Sequence, residues 1–162
     1  MTHTLIWIVE DTWEATVDAA RPFVGPTADV TLLHVAPGDV ERLAEGSRQG
    51  LLGRPRPPGG PSHEVRDISD AAAAALLAEA VARLGPGART EARRGRVERE
   101  VVAAAEGFDL LVLARDGDRA RLGPKSLGPP ARFVVDHAPC AVLLVWPDAV
   151  PDAGTIPPPP PH

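Results

Sequence analysis

Short apolar runs alternate along this chain with longer stretches of helical period. "TLIWIV" (Thr4 to Val9) is apolar without alternation, the pattern of a central strand buried on both faces. Trp13, Val17, Ala20 and Val24 recur at helical spacing, with Thr12 placed as an N-cap and Pro22 to Pro26 closing the segment. "DVTLLHV" (Asp29 to Val35) is the second strand. From Ala36 to about Asp67, around "GRPRPPGGP", proline and glycine predict an excursion outside regular structure. The helical period returns from Ser69, where Leu76, Leu77, Ala80, Val81 and Leu84 form one stripe that stops at "GPG".

A third strand, "ARTEARR", is polar enough to belong near a sheet edge, since its charges cannot be buried unpaired on both faces. Val97, Val101, Val102 and Ala105 mark a helix ending near Gly107, and "DLLVLA" (Asp109 to Ala114) is a strongly buried strand. Pro129 and Pro130 fit the first turn of a last helix carried by "ARFVVDHA", because the first amides of a helix have no intrahelical partner to lose. "CAVLLVW" is the fifth strand. The closing "PDAVPDAGTIPPPPPH" predicts an extended or disordered tail.

This alternation defines an α/β domain, a parallel sheet with helices on both faces. At 162 residues and 44% apolar content the chain is one domain, expected over residues 1–146, with a mobile proline-rich excursion at 36–67 and a tail at 147–162. Charge narrows the partners. With 17 Lys and Arg against 22 Asp and Glu the net charge is -5, which argues against nucleic acid. No apolar run reaches the roughly 20 residues of a membrane span, and "MTHTLIWIVEDTW" lacks the features of a signal peptide. The lone Cys140 excludes an internal disulfide and fits a reducing compartment, so a cytoplasmic domain is expected.

In an open parallel sheet, ligands bind beyond the carboxyl ends of the strands where the strand order reverses. Two loops belong there. One is "EDT" (Glu10, Asp11, Thr12). The other is "ARDGDRARLGPKSLGPP" (Ala114 to Pro130), whose glycines and helix start can aim amides at an anion, with Arg115, Arg119, Arg121 and Lys125 adding positive charge partly offset by Asp116 and Asp118. Glycine and arginine also crowd ordinary surface loops, and a solvated turn with a helix cap accounts equally for Glu10 and Asp11.

The order of segments, with "TLLHV", "GRVEREVVAAAEGFDLLVLARDG" and "HAPCAVLLVW", resembles the universal stress protein family over roughly Leu5 to Trp146. The resemblance implies a doubly wound, Rossmann-like domain of the adenine nucleotide alpha hydrolase type, with five parallel strands in the order 3-2-1-4-5. It also implies a dimer, a role in stress response, and ATP binding in some members. Binding members carry G-x-x-G, nine residues, then G-[ST]. Here Ala114 stands at the first glycine and Gly117 matches the second, while Gly128 matches the third only with one residue inserted. Pro129 replaces the Ser or Thr. Proline supplies neither an amide hydrogen nor a hydroxyl, so two phosphate donors are missing, each worth about 1.5 to 3 kcal/mol to a charged group. Ser126, Lys125 or a loop arginine could compensate by turning inward. The family's acidic residue after strand one corresponds to Glu10, or to Asp11 with a one-residue shift, and Val35 matches the position whose backbone meets adenine.

Other residues carry less. His3, His34, His63, His137 and His162 are scattered and recommend no metal site. Cys140 is expected to pack as a small apolar residue, Ser126 lacks the partners of a nucleophile, and Trp7, Trp13 and Trp146 suit core or interface packing. An apolar final strand would leave an open edge, so a homodimer through Ala141, Val142, Leu143, Leu144, Val145 and Trp146 is expected. The sequence therefore points to a dimeric binding or regulatory module with a degenerate nucleotide crevice and no catalytic role. The alternative is an ATP sensor, with Mg as companion ion and slow hydrolysis at most, and a small-molecule enzyme of related fold is less favoured.

Overall fold

The computed structural model of the chain describes residues 1–38 and 62–161. Five parallel strands, β1 (His3–Trp7), β2 (Asp29–Pro37), β3 (Arg89–Gly95), β4 (Leu110–Ala114) and β5 (Ala141–Val145), form one sheet in the order β3-β2-β1-β4-β5. Among the described residues four α-helices connect them: α1 (Trp13–Ala20), α2 (Ser62–Leu84), α3 (Val97–Ala104) and α4 (Pro129–His137). The strand order is the one that the family resemblance implies.

Alternation along the strands divides the core into two halves. Leu5, Trp7, Leu33, Val35, Leu111 and Leu113 point to the face covered by α3 and α4, where Val101, Ala104, Ala131 and Val134 meet them. Ile6, Ile8, Val30, Leu32 and Val112 point to the other face, under Val17 and Ala20 of α1 and Leu77 and Ala80 of α2. Burial on both faces leaves β4 without a polar position and confines those of β1 to its first two residues, His3 and Thr4, which is why both segments read as apolar runs. Each such buried aliphatic side chain contributes roughly 1.5 to 3 kcal/mol of transfer free energy.

The polar β3 lies at one edge, as its charges require. Arg93 pairs with Glu91 at 2.5 Å and with Glu100 at 3.6 Å, and Arg94 pairs with Asp70 at 2.7 Å. β5 forms the opposite edge.

Two boundaries differ from the sequence reading. α2 begins at Ser62, seven residues before the helical period returns, because Val65 and Ile68 of its first turns are exposed and form no buried stripe. The interior of the expected excursion, residues 39–61, lies outside the described residues. α1 stops at Ala20 and passes into a 3-10 turn, Arg21–Phe23, so Val24 falls beyond the helix. Thr12 occupies the N-cap position of α1 but its side chain makes no capping bond. The segment after β5 is mostly irregular as far as Pro161, with one 3-10 turn at Ala153–Thr155 capped by Asp152, whose carboxylate accepts from the Gly154 amide at 2.7 Å.

Candidate functional site

The strand order reverses between β1 and β4, which places a crevice between the loops that follow them. β4 ends at Ala114, level with Val145 of β5, so the next residues, Arg115 and Trp146, come side by side. The Arg115 amide donates to the Val145 carbonyl at 2.9 Å, and its guanidinium lies 4.4 Å over the Trp146 ring and donates to the Ser126 hydroxyl. Ser126 is fully buried and donates in turn to the Gly123 carbonyl at 2.6 Å. Burial pulls the Arg115 pKa below the ordinary guanidinium value. Both inward-turned groups thus bond within the loop, while the buried Arg115 Nε has no hydrogen-bond partner among the described residues.

Asp116 decides the loop's chemistry. Its Oδ1 accepts from the Gly128 amide at 2.6 Å and its Oδ2 from the Ala131 amide at 3.1 Å. Gly128 is the N-cap of α4, and Pro129 and Pro130 have no amide hydrogen. The Arg132 amide is already bonded to the Gly128 carbonyl at 3.0 Å. The start of α4 thus offers two free amides, and one carboxylate takes both. An anion at a helix start is favoured by those donors and by the helix dipole. Here the chain supplies its own.

The rest of the loop closes on itself. The Gly117 amide donates to the Ser126 carbonyl at 3.0 Å and the Asp118 amide to the Lys125 carbonyl at 2.8 Å. A Cβ at Gly117 would collide with the backbone of Lys125, Ser126 and Gly128, so glycine is required here by close approach. One at Gly128 would stand 3.0 Å from the Asp116 carboxylate. Arg119 bridges the two crevice loops, with its Nη2 3.6 Å from Asp11 and its Nε 3.4 Å from Asp148. Arg121 and Lys125 stay exposed.

Across the crevice, β1 stops at Trp7 while β2 runs on to Pro37. The Leu33 carbonyl accepts from the Ile8 amide at 2.7 Å, so the alternate residue Val35 turns its backbone toward the same side, past the end of β1. The His34 Nδ1 lies 2.9 Å from the Ile8 carbonyl oxygen, so Nδ1–H is the donor in that contact. An open cleft of about 540 Å³ lies here, with Glu10, Trp13, His34, Ala73, Leu76 and Glu79 among its walls. Glu10 and Asp11 are exposed and Thr12 is buried, and a neighbouring depression brings them beside Glu14, Asp18 and Arg83. The Arg83 guanidinium, bonded to Asp18 at 2.6 and 2.9 Å, holds the Asp18 carboxyl below its ordinary pKa. The structure thus sets Glu10 in the wall of the open cleft with His34 and Ala36, packs the Val35 side chain into the core half on the opposite face of the sheet, and keeps Gly117, Ser126 and Gly128 within a closed loop. Among the described residues no group of acidic, His or Cys side chains is arranged to hold a metal ion.

Asp116 and Arg115 are the residues whose roles the sequence reading missed. The two prolines at the start of α4 were a usable signal for Asp116, since they leave so few amides for one carboxylate to fill.

These features define a doubly wound α/β domain with a crevice at its topological switch point. The family model described as "Universal stress protein family" matches residues 10–145, and the chain belongs to that family. Solved structures show the same fold at low identity. The hypothetical protein MJ0577 aligns with TM-score 0.65 and 19% identity, over 90% of this chain and 95% of that one. A universal stress protein in complex with cAMP aligns with TM-score 0.62 and 15% identity, over 91% and 98%. The universal stress protein from Archaeoglobus fulgidus aligns with TM-score 0.56 and 18% identity, over 90% and 98%. No curated protein matches the chain.

Proposed function

We propose that this chain works as a cytoplasmic, homodimeric binding and regulatory module of stress response, whose nucleotide crevice has lost its polyphosphate seat and performs no catalysis. The observation that carries this reading is the Asp116 carboxylate bonded to both free amides at the start of α4. A triphosphate at this position would have to displace a carboxylate already matched to those donors, and Pro129 and Pro130 offer no replacement amides. An ATP sensor using Mg requires the same amides free.

The open cleft by His34 is a separate matter. Its size falls within the range of small-ligand pockets, and a structural relative of the same family is described in complex with cAMP. The module's ligand is accordingly a nucleoside-sized molecule held by the backbone beyond β1 and by the walls of that cleft, without anchoring of a phosphate chain. Titration calorimetry tests this. The expected result is no saturable heat from ATP with Mg up to about 1 mM, while saturable binding tighter than about 100 µM would favour the sensor.

A further inference from the structure

We infer that the segment Asp148 to Pro157 is an autoinhibitory strap that holds the β4–α4 loop against the crevice and withholds its remaining anion donors. The inference rests on the reading of the crevice given above and adds a regulatory element to it.

The family match ends at residue 145, so the strap lies outside it. It is attached at three points. The Leu122 amide donates to the Thr155 hydroxyl at 3.0 Å, and that hydroxyl donates to the Asp152 carbonyl at 2.7 Å. Thr155 can make both bonds because the turn at Ala153–Thr155 is itself closed, its Thr155 amide bonding the Asp152 carbonyl at 2.9 Å. Pro157 packs beside Gly123, where an added Cβ would lie 3.7 Å from its ring. Asp148 holds Arg119 from the tail side while Asp11 holds it from the β1 loop.

These contacts remove two groups from any incoming anion. The Leu122 amide is occupied, and Arg119, with only a third of its side chain exposed, faces two carboxylates. Two carboxylates at 3.4 and 3.6 Å offset the charge that Arg119 would otherwise present to a phosphate. The strap contributes no buried apolar side chain to the core, so its release leaves the domain intact. Surface ion pairs and single hydrogen bonds are individually weak, which makes the strap displaceable. Asp116 fills the seat at α4, and the strap occupies two further donors of the same loop, the Leu122 amide and Arg119.

The test uses inorganic pyrophosphate as the probe. Its affinity is measured for Asp116→Ala, in which the seat is empty, and for Asp116→Ala combined with Asp148→Asn and Thr155→Val. Release of the strap is expected to tighten pyrophosphate binding about tenfold. Equal affinity in the two chains, including no binding to either, overturns the strap. Failure of the underlying reading looks different, since the unsubstituted chain would then bind pyrophosphate as tightly as Asp116→Ala. Hydrogen exchange provides a readout without any ligand: Asp148→Asn with Thr155→Val in the otherwise native chain is expected to speed exchange of the Leu122 amide. An unchanged rate at that amide also overturns the proposal.

Discussion

The Asp116 carboxylate lies 2.6 Å from the Gly128 amide nitrogen, across twelve positions of sequence, and ties the end of the β4–α4 loop back to its beginning. Removing it should do two things. Asp116→Ala loses a helix cap and is expected to destabilise the fold by about 1 kcal/mol in chloride buffer. In phosphate buffer part of that loss should return, because the vacated amides accept an anion. Denaturant unfolding of both chains in both buffers checks this.

Gly117 is fixed by contact with the loop's returning backbone. Gly117→Ala forces the Lys125 to Gly128 segment outward, at an expected cost of about 1 to 3 kcal/mol. The fall in denaturation midpoint measures it, and an unchanged midpoint would mean the loop is more open than described.

Cys140 immediately precedes β5, and burial, with the Asp109 carboxylate nearby, pushes its thiol pKa up. The neutral thiol is the favoured form in the fold. Its contribution to stability is therefore complete below the unfolded-state thiol pKa and declines as pH rises through the higher folded value. At mildly alkaline pH the native chain should alkylate with iodoacetamide more slowly than the chain in urea, as mass spectrometry would show.

β5 is an apolar strand at the sheet edge, with Val142, Leu143 and Leu144 only partly buried. Pairing with a second copy would cover that edge. Light scattering on a sizing column is expected to give twice the 17.0 kDa of one chain, and Ala141→Lys, at an exposed edge position, should shift the population toward monomer. A native chain that ran as a 17.0 kDa monomer at micromolar concentration would remove the dimer from the account.

The strands were legible because β4 has no polar position and β1 has them only at His3 and Thr4, while β3 carries charges that only an edge accepts; the order of the strands came from the family resemblance. The first turns of α2 were not legible. Val65 and Ile68 face solvent, so helical period there marks no buried surface. At the site, the glycines located the loop but gave no account of its filling. The bonds that close it join Asp116 to residues 12 and 15 positions away, and Arg119 to Asp11 and Asp148 on separate segments. Such pairings depend on the sheet bringing β1, β4 and the tail together. Arg115 was visible only as one charge among several, whereas the register of β4 against β5 makes it the neighbour of Trp146.

The most direct measurement is an amide-resolved nuclear magnetic resonance titration of the full chain with ATP and Mg. With Asp116 holding both donors, the Gly128 and Ala131 amide signals should stay in place as the nucleotide is raised, and any shifts should gather at Val35 and its neighbours beyond β1. Saturable movement of the Gly128 and Ala131 amides would mean that phosphate displaces the carboxylate, and would contradict the claim that this chain closes its own phosphate seat.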